Sequence, residues 1–305
     1  MLSEEVRAEL AGIDPRKACC RLAELSALLR TAGSVHLKGG GRIALHLELA
    51  SSSVARRAFT LLRSYEVPGE IRTFKSRSFE RATRFQIHLE DDARAVQVLN
   101  EAGILDASLA PLGRPPARVV ARPCCRAAYL RGALLASGSV SGPPNAHLEL
   151  RSAGIEGAEL LASLASEEGF RLKVRDRGRY AVAYAKSTEA IAELLAFLGA
   201  HEAALGLEES AVIASTRARA NRLANADHAN IVRASRAAEA QLLAIRRLEG
   251  EGRLEQLAPE LREIAAVRAK NPTLSLGELA RRLDPPAAKA AAHRRLAKLR
   301  RLAQR

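Results

Sequence analysis

The feature that most constrains this chain is an internal repeat. Residues 19–25, Cys-Cys-Arg-Leu-Ala-Glu-Leu, align with residues 124–130, Cys-Cys-Arg-Ala-Ala-Tyr-Leu, at a separation of 105 positions. The same separation carries Gly33-Ser34-Val35 onto Gly138-Ser139-Val140. A register that persists over this distance indicates a duplicated structural unit.

Each unit has the pattern of a helix followed by a hairpin. Residues 17–31 carry apolar side chains at helical spacing and stop before Gly33. Leu45, Leu47 and Leu49 then alternate with polar residues, which predicts a hairpin over 34–49 with its turn at Gly39-Gly40-Gly41. The other predicted elements are helices at 53–64, 91–102, 128–136, 156–168 and 188–198, strands at 70–75, 81–89, 171–175 and 179–185, and a hairpin around 142–145.

The four cysteines form two adjacent pairs, Cys19-Cys20 and Cys124-Cys125. Neighbouring cysteines rarely bridge each other or chelate one metal, and the C-x-x-C spacing of a zinc site is missing. We expect small buried thiols, with a redox role as the alternative. The sequence predicts no metal site and no cofactor.

Positive charge is concentrated at the C-terminus. Residues 251–305 carry 13 Lys and Arg against six acids, in a chain of formal net charge +14. Such a segment favours a polyanion, because each neutralised phosphate releases condensed counterions. Aromatic residues are only 3%, with no Trp, so the stacking surfaces of single-strand and RNA binders are scarce. Duplex DNA is the expected partner, and an RNA-binding maturation factor is the weaker alternative.

This tail has the pattern of a helix-turn-helix domain. An amphipathic helix at 259–269 precedes a helix at 276–283, which Ser275 begins in a capping box with Glu278. An Ala-rich basic helix at 287–302 follows and is expected to read the major groove. The predicted DNA-binding residues are Ser275, Arg281, Lys289, His293, Arg294, Arg295 and Lys298, of which Lys289, Arg294 and Lys298 are the strongest candidates.

The connecting segment between the repeat and the tail is mostly helical by pattern. It carries four arginines that are candidates for secondary phosphate contacts. Packing between domains is an equally open interpretation of them. These residues are Arg217, Arg219, Arg222 and Arg233.

Residues 130–138, Leu-Arg-Gly-Ala-Leu-Leu-Ala-Ser-Gly, resemble the LAGLIDADG motif of homing endonucleases, and residues 25–33 are a weaker copy. In that family the residue before the final glycine is the acid that binds Mg²⁺. Here those positions hold Ala32 and Ser137, and hard divalent cations require carboxylate oxygens. The resemblance therefore implies an endonuclease scaffold without catalytic residues, and we expect no enzyme activity.

Glutamate and histidine side chains elsewhere in the repeat could substitute for the missing acids. Glu48 and Glu149 lie on the polar face of a repeated strand, next to His46 and His147, and could form a metal cluster across the repeat. A solvated sheet face is the favoured interpretation. A metal-dependent LAGLIDADG-type DNA endonuclease remains the alternative function.

Over nearly its whole length the chain resembles the WhiA family of sporulation and cell-division regulators. The resemblance also rests on residues 219–230 and on Leu283-Asp284-Pro285-Pro286 before the last helix. It departs at residues 287–292, where alanines replace a more polar family pattern, so base preference could differ. The resemblance implies a transcription regulator that binds promoter DNA and cooperates with a WhiB-type iron–sulfur regulator.

The predicted fold is α+β: a duplicated αββαββ LAGLIDADG-like scaffold followed by an all-α helix-turn-helix domain. The predicted domains are a first repeat at 1–112, a second repeat at 113–205, a helical connecting segment at 206–250 and the helix-turn-helix domain at 251–305. The chain lacks an uninterrupted apolar run of about 18 residues and a signal-peptide pattern. We expect no membrane contact and a cytoplasmic, nucleoid-associated protein.

Overall fold

The computed structural model describes residues 2–38, 42–75, 83–89 and 93–304. The chain divides into two compact units, unit 1 (residues 1–215) and unit 2 (residues 216–305). Unit 1 contains α1 (Leu2–Ala11), α2 (Ala18–Ala32), β1 (Gly33–Lys38), β2 (Arg42–Leu49), α3 (Ser52–Arg63), β3 (Glu70–Lys75), β4 (Thr83–Leu89), α4 (Ala93–Glu101), α5 (Ala117–Val120), α6 (Pro123–Ser137), β5 (Ser139–Ser141), β6 (His147–Ser152), α7 (Ile155–Glu167), β7 (Lys173–Asp176), β8 (Ala181–Ala185) and α8 (Thr188–Leu198). Helix α9 (His201–Gly250) begins in unit 1 and continues into unit 2, which also holds α10 (Pro259–Lys270), α11 (Leu276–Arg281) and α12 (Lys289–Ala303).

The duplication predicted from the repeat is confirmed by the sheet topology. Both sheets are four-stranded and antiparallel, with the orders β1-β2-β4-β3 and β5-β6-β8-β7. Each half follows the order αββαββα that the periodicity predicts, and the α+β class is confirmed. The predicted turn at 39–41, the first two residues of the predicted strand at 81–89 and the first two of the predicted helix at 91–102 lie outside the described residues.

The two motif helices, α2 and α6, pack against each other in the centre of unit 1. A Cβ atom on Gly132 of α6 would lie 2.5 Å from the carbonyl oxygen of Glu24 and 2.9 Å from the Cβ of Ala27 on α2. Ala27 and Leu130 are fully buried. Small residues at these positions allow the close approach of the two backbones, as the resemblance to LAGLIDADG helices implies.

Helix α1 was missed by the sequence analysis. Only Val6 and Leu10 of its ten residues are buried, so its apolar stripe is too narrow to stand out. The helix nevertheless joins distant elements: Arg7 donates to the carbonyl oxygen of Gly138 at 2.6 Å. The Glu9 carboxylate accepts hydrogen bonds from the first amides of α9, those of Glu202 at 2.8 Å and Ala203 at 2.9 Å.

Several predicted boundaries were wrong by a few residues. The second motif helix begins at Pro123 rather than at residue 128, because proline is well suited to the first turn of a helix. The last helix begins at Lys289 rather than at residue 287. The helix before it ends at Arg281 rather than at residue 283.

Unit 2 has a hydrophobic core of its own. Ile245 and Leu248 from the end of α9 are buried with Ile264, Leu279 and Leu296 from the three following helices. None of the helices described in the chain is both long enough and apolar enough to cross a membrane.

Candidate nucleic-acid interface

Unit 2 carries most of the net positive charge of the protein. It holds 20 Lys and Arg against nine Asp and Glu, whereas unit 1 holds 28 against 25. Unit 2 therefore contributes +11 of the total of +14. A field of this sign and density attracts polyanions.

The start of α11 is built by a capping box. The Ser275 hydroxyl oxygen accepts from the amide of Glu278 at 3.3 Å, and the Glu278 carboxylate accepts from the amide of Ser275 at 2.9 Å. The hydrogen bonds with Ser275 hold the pKa of Glu278 below its usual value. The Ser275 hydroxyl is thus engaged in fixing the start of α11, the helix that precedes the turn.

Helix α12 presents one buried and one basic face. Its buried side chains, those of Ala292, Leu296, Leu299 and Ala303, recur at helical spacing and pack into the core of unit 2. Four of the residues predicted to bind DNA are exposed on the rest of its surface. They are Lys289, His293, Arg294 and Lys298.

Arg295 differs from these four because it is half-buried. Its guanidinium lies 3.9 Å from a carboxylate oxygen of Glu263 on α10. The other oxygen of Glu263 accepts from the amide of Asp284 in the turn at 2.5 Å. Arg295 therefore lies beside an acid that holds the turn before α12, and its position favours a role in orienting α12.

The predicted residue Arg281 is exposed, and its Nε lies 3.4 Å from the carbonyl oxygen of Gly277 in the preceding turn. Three further exposed arginines were missed by the prediction. Arg282 hydrogen-bonds Asn271, and Arg300 and Arg301 lie in the last turns of α12. Continuing the helical spacing of Arg294 and Lys298 along the sequence would have included Arg301, and that of His293 would have included Arg300.

The four arginines of the predicted secondary contact set all lie on the exposed surface of α9. Arg233 folds back on its own helix, donating to the carbonyl oxygen of Ala229 at 3.1 Å and to the side-chain oxygen of Asn230 at 2.7 Å. The other three are exposed within the first two turns of unit 2. They are Arg217, Arg219 and Arg222.

The positions that correspond to the endonuclease acids end the two central helices. Ala32 is the last residue of α2 and Ser137 the last of α6. Ser137 donates its hydroxyl proton to the carbonyl oxygen of Arg151 at 2.8 Å. An aliphatic side chain and an engaged hydroxyl do not provide the carboxylate oxygens that Mg²⁺ prefers.

The alternative cluster of histidines and glutamates is divided between the two sheets. The His46 ring in β2 packs between those of His36 and His88, with centroid separations of 5.0 and 4.6 Å. In β6, Nε2 of His147 lies 3.4 Å from a carboxylate oxygen of its own neighbour Glu149. Within the described ranges, the one group of at least three metal-ligating side chains with close donor atoms consists of the four cysteines.

The cysteine pairs are brought together by the duplication. Cys20 and Cys125 are buried, whereas Cys19 and Cys124 are half-buried. Their four sulfur atoms all lie within 4.8 Å of one another. This cluster was not predicted from the sequence, where each pair was interpreted alone. Equivalent positions on two helices that pack together in a duplicated fold were a signal for it.

Three family models match successive parts of the chain. The WhiA N-terminal LAGLIDADG-like domain matches residues 18–105, and the WhiA LAGLIDADG-like domain matches residues 126–217. The WhiA C-terminal HTH domain matches residues 220–303. The last match coincides with the basic unit 2 described above.

Curated relatives match almost the whole chain. A protein of Heliobacterium modesticaldum named probable cell division protein WhiA is 36% identical over 304 residues, covering 99% of this chain and 95% of its own length. The protein of the same name from Symbiobacterium thermophilum is also 36% identical over 304 residues, covering 99% and 97%. The crystal structure of full-length WhiA from Thermatoga maritima matches with a TM-score of 0.57 at 23% identity, over 99% of this chain and 97% of that one. At this identity the structural match shows a shared fold.

Proposed function

Because this chain belongs to the WhiA family, we propose that it is a sequence-specific DNA-binding transcription regulator of bacterial cell-division or sporulation genes. The observation that carries this proposal is the exposed basic face of α12 on a separately packed helical unit of net charge +11. The names of its curated relatives, probable cell division proteins, support the cellular role.

In the proposed mechanism α12 lies in the major groove of duplex DNA. Its N-terminal residues approach base edges, as the recognition helix of a helix-turn-helix protein does. Lys289 and Arg294 can donate to guanine edges, and Lys298 to phosphate oxygens. Alanines such as Ala290 permit close approach to the groove. Ser275 and Arg295 position the helices, and Arg281 and His293 add further donors at the interface.

The LAGLIDADG-like unit 1 has a non-catalytic role in this proposal. Its two helix-terminal positions, Ala32 and Ser137, hold no acid, so a metal-bound water could not be generated there. We assign unit 1 as a secondary DNA surface or a protein-docking surface. On α9, Arg217, Arg219 and Arg222 add phosphate contacts. Arg233 adds another when its side chain exchanges its hydrogen bonds with Ala229 and Asn230 for a phosphate. Association with the nucleoid and cooperation with a WhiB-type iron–sulfur regulator follow from the family resemblance.

The proposal is tested by titrating the full chain into fluorescent duplex DNA at two salt concentrations, with and without Mg²⁺. Binding should weaken steeply with salt, because basic residues displace counterions. A triple variant, Lys289→Ala, Arg294→Ala and Lys298→Ala, should bind much more weakly. A control that loses the same charge from exposed positions of unit 1, Arg16→Ala, Arg63→Ala and Arg118→Ala, should keep most of its affinity.

The same titration separates a regulator from an endonuclease. Supercoiled plasmid incubated with the full chain and Mg²⁺ should remain intact. Cleavage that requires Mg²⁺, or equal loss of binding in the two triple variants, would contradict the assignment of roles to units 1 and 2.

A further inference from the structure

The N-terminal ends of α2 and α6 bring four thiols into one cluster. Cys19 and Cys20 are the second and third residues of α2, and Cys124 and Cys125 are the second and third residues of α6. Their sulfur atoms lie within 4.8 Å of one another. The two halves of the repeat thus supply equivalent ligands from equivalent positions, two from each helix of the central pair.

These distances suit a single ion better than other occupants. Four sulfurs around a tetrahedral Zn²⁺ at ~2.3 Å are about 3.8 Å apart. The thiols therefore need to move by no more than about 1 Å at their most distant pair. A cluster with two irons attaches its sulfurs to different metal atoms and holds them further apart. Thiolates also select thiophilic ions over Mg²⁺.

Burial raises the pKa of the Cys20 and Cys125 thiols, and other groups at the cluster would offset the charge of a bound thiolate complex. Both helices begin without a side-chain cap, at Lys17 and Arg122. Their first amides have no acceptor within the helix, and the positive ends of both helix dipoles meet at the sulfurs. Two basic side chains stand at the same ends. One Zn²⁺ with four thiolates carries two negative charges, which these groups offset.

The burial pattern fits an ion that can enter and then be held. Cys20 and Cys125 are 8% and 1% exposed and form the inner side of the cluster, while Cys19 and Cys124 form the half-buried outer side. An ion can approach from the outer side. Once bound, it would join α2 to α6, which belong to different repeats.

We propose that Cys19, Cys20, Cys124 and Cys125 form a structural site for one Zn²⁺ that links the two halves of unit 1. On binding, four S–H bonds break, four S–Zn bonds form and four protons pass to solvent, with no change of oxidation state. The site is separate from the degenerate endonuclease positions. Cys20 and Ala32 stand twelve residues apart on α2, a distance of roughly 18 Å along the axis at ~1.5 Å per residue.

The test uses the full chain, purified under reducing conditions and stripped with a chelator. Zinc is added back, and both the bound metal and the thiols that still react with Ellman's reagent are counted. One Zn²⁺ per chain with all four thiols protected is expected, together with a rise in the unfolding temperature of unit 1. Co²⁺ should give the strong charge-transfer and ligand-field bands of a tetrahedral four-thiolate site.

Two kinds of variant separate ligand loss from loss of fold. Cys19→Ser and Cys124→Ser change the half-buried ligands, so the helix pair should still form while the four-thiolate cobalt spectrum is lost. The control, His228→Ala, removes an exposed imidazole on α9 that lies outside the proposed site. It should change neither the number of bound zinc ions nor the cobalt spectrum.

Four contrary results would overturn the proposal. These are no more zinc in the wild type than in a variant with all four cysteines changed to alanine, a cobalt spectrum unchanged in both serine variants, unprotected thiols at saturating zinc, and an unfolding temperature of unit 1 that does not rise with zinc.

Discussion

Replacing Glu24 with glutamine should destabilise unit 1 by about 3–5 kcal/mol. Glu24 is fully buried between α2, α3 and α6. One carboxylate oxygen accepts from Nε of Arg57 at 2.7 Å, and the other from Nε and Nη2 of Arg131 at 2.9 and 2.6 Å. A glutamine has one oxygen and one NH₂ group, so it must direct a donor at one of the two guanidiniums. Two buried positive charges then lose their shared counterion.

The protein contains its own probe for this experiment. All four tyrosines lie in unit 1, and the chain has no Trp, so tyrosine fluorescence during urea unfolding reports on unit 1 alone. With a slope of about 3 kcal/mol per molar urea, the loss corresponds to a midpoint shift of roughly 1–2 M. The matched control is Glu70→Gln, which removes an exposed partner 2.9 Å from Arg72 and should cost under about 1 kcal/mol. If both variants lost the same small amount, the ion pairs of Glu24 with Arg57 and Arg131 would not stabilise unit 1 more than an exposed pair does.

Four further substitutions test other parts of the structure. Gly132→Ala should destabilise unit 1 by about 1–3 kcal/mol in the same urea assay, because the added Cβ would meet the backbone of α2. At Gly206 on α9 an added Cβ would meet no other atom, so Gly206→Ala should stabilise unit 1 by about 0.5–1 kcal/mol. Ser275→Ala should lower the stability of unit 2 by about 1 kcal/mol through loss of the capping box. The helical circular-dichroism signal during urea unfolding measures this loss of stability. An unchanged unfolding curve would refute the role of the cap. Lys298→Ala should reduce the slope of log affinity against log salt by about 1, as one lost phosphate contact requires, and an unchanged slope would remove Lys298 from the interface.

Much of the fold was predictable because the same pattern of helices and strands occurs twice in the sequence, once in each repeat. The alternation at Leu45, Leu47 and Leu49 specified a strand with one buried face, and the structure places these side chains in the core. The capping box of Ser275 and Glu278 was also predictable, because it depends on two residues only three positions apart in the sequence. Local periodicity does not show what α1 does, because its contacts with Gly138 and the start of α9 join residues far apart in sequence.

In the candidate sites as well, features set by local sequence were predictable and features set by contacts between distant residues were not. The exposed face of α12 follows from helical spacing around Leu296 and Leu299, so most of its basic residues were predictable. The pairing of Arg295 with Glu263 was not, because it depends on how α10 packs against α12. The four-cysteine cluster also escaped prediction, because it requires the packing of α2 against α6 as well as their sequence similarity.

In the proposed function, α12 recognises a specific DNA sequence. The most direct test is repeated selection of duplexes from a random-sequence pool by the full chain, run in parallel with the Lys289→Ala, Arg294→Ala, Lys298→Ala triple variant and the matched triple variant of unit 1. We expect the wild type and the unit 1 variant to enrich one shared motif and the α12 variant to enrich none. Failure of the wild type to enrich a motif, or enrichment of the same motif by the α12 variant, would contradict the proposed function.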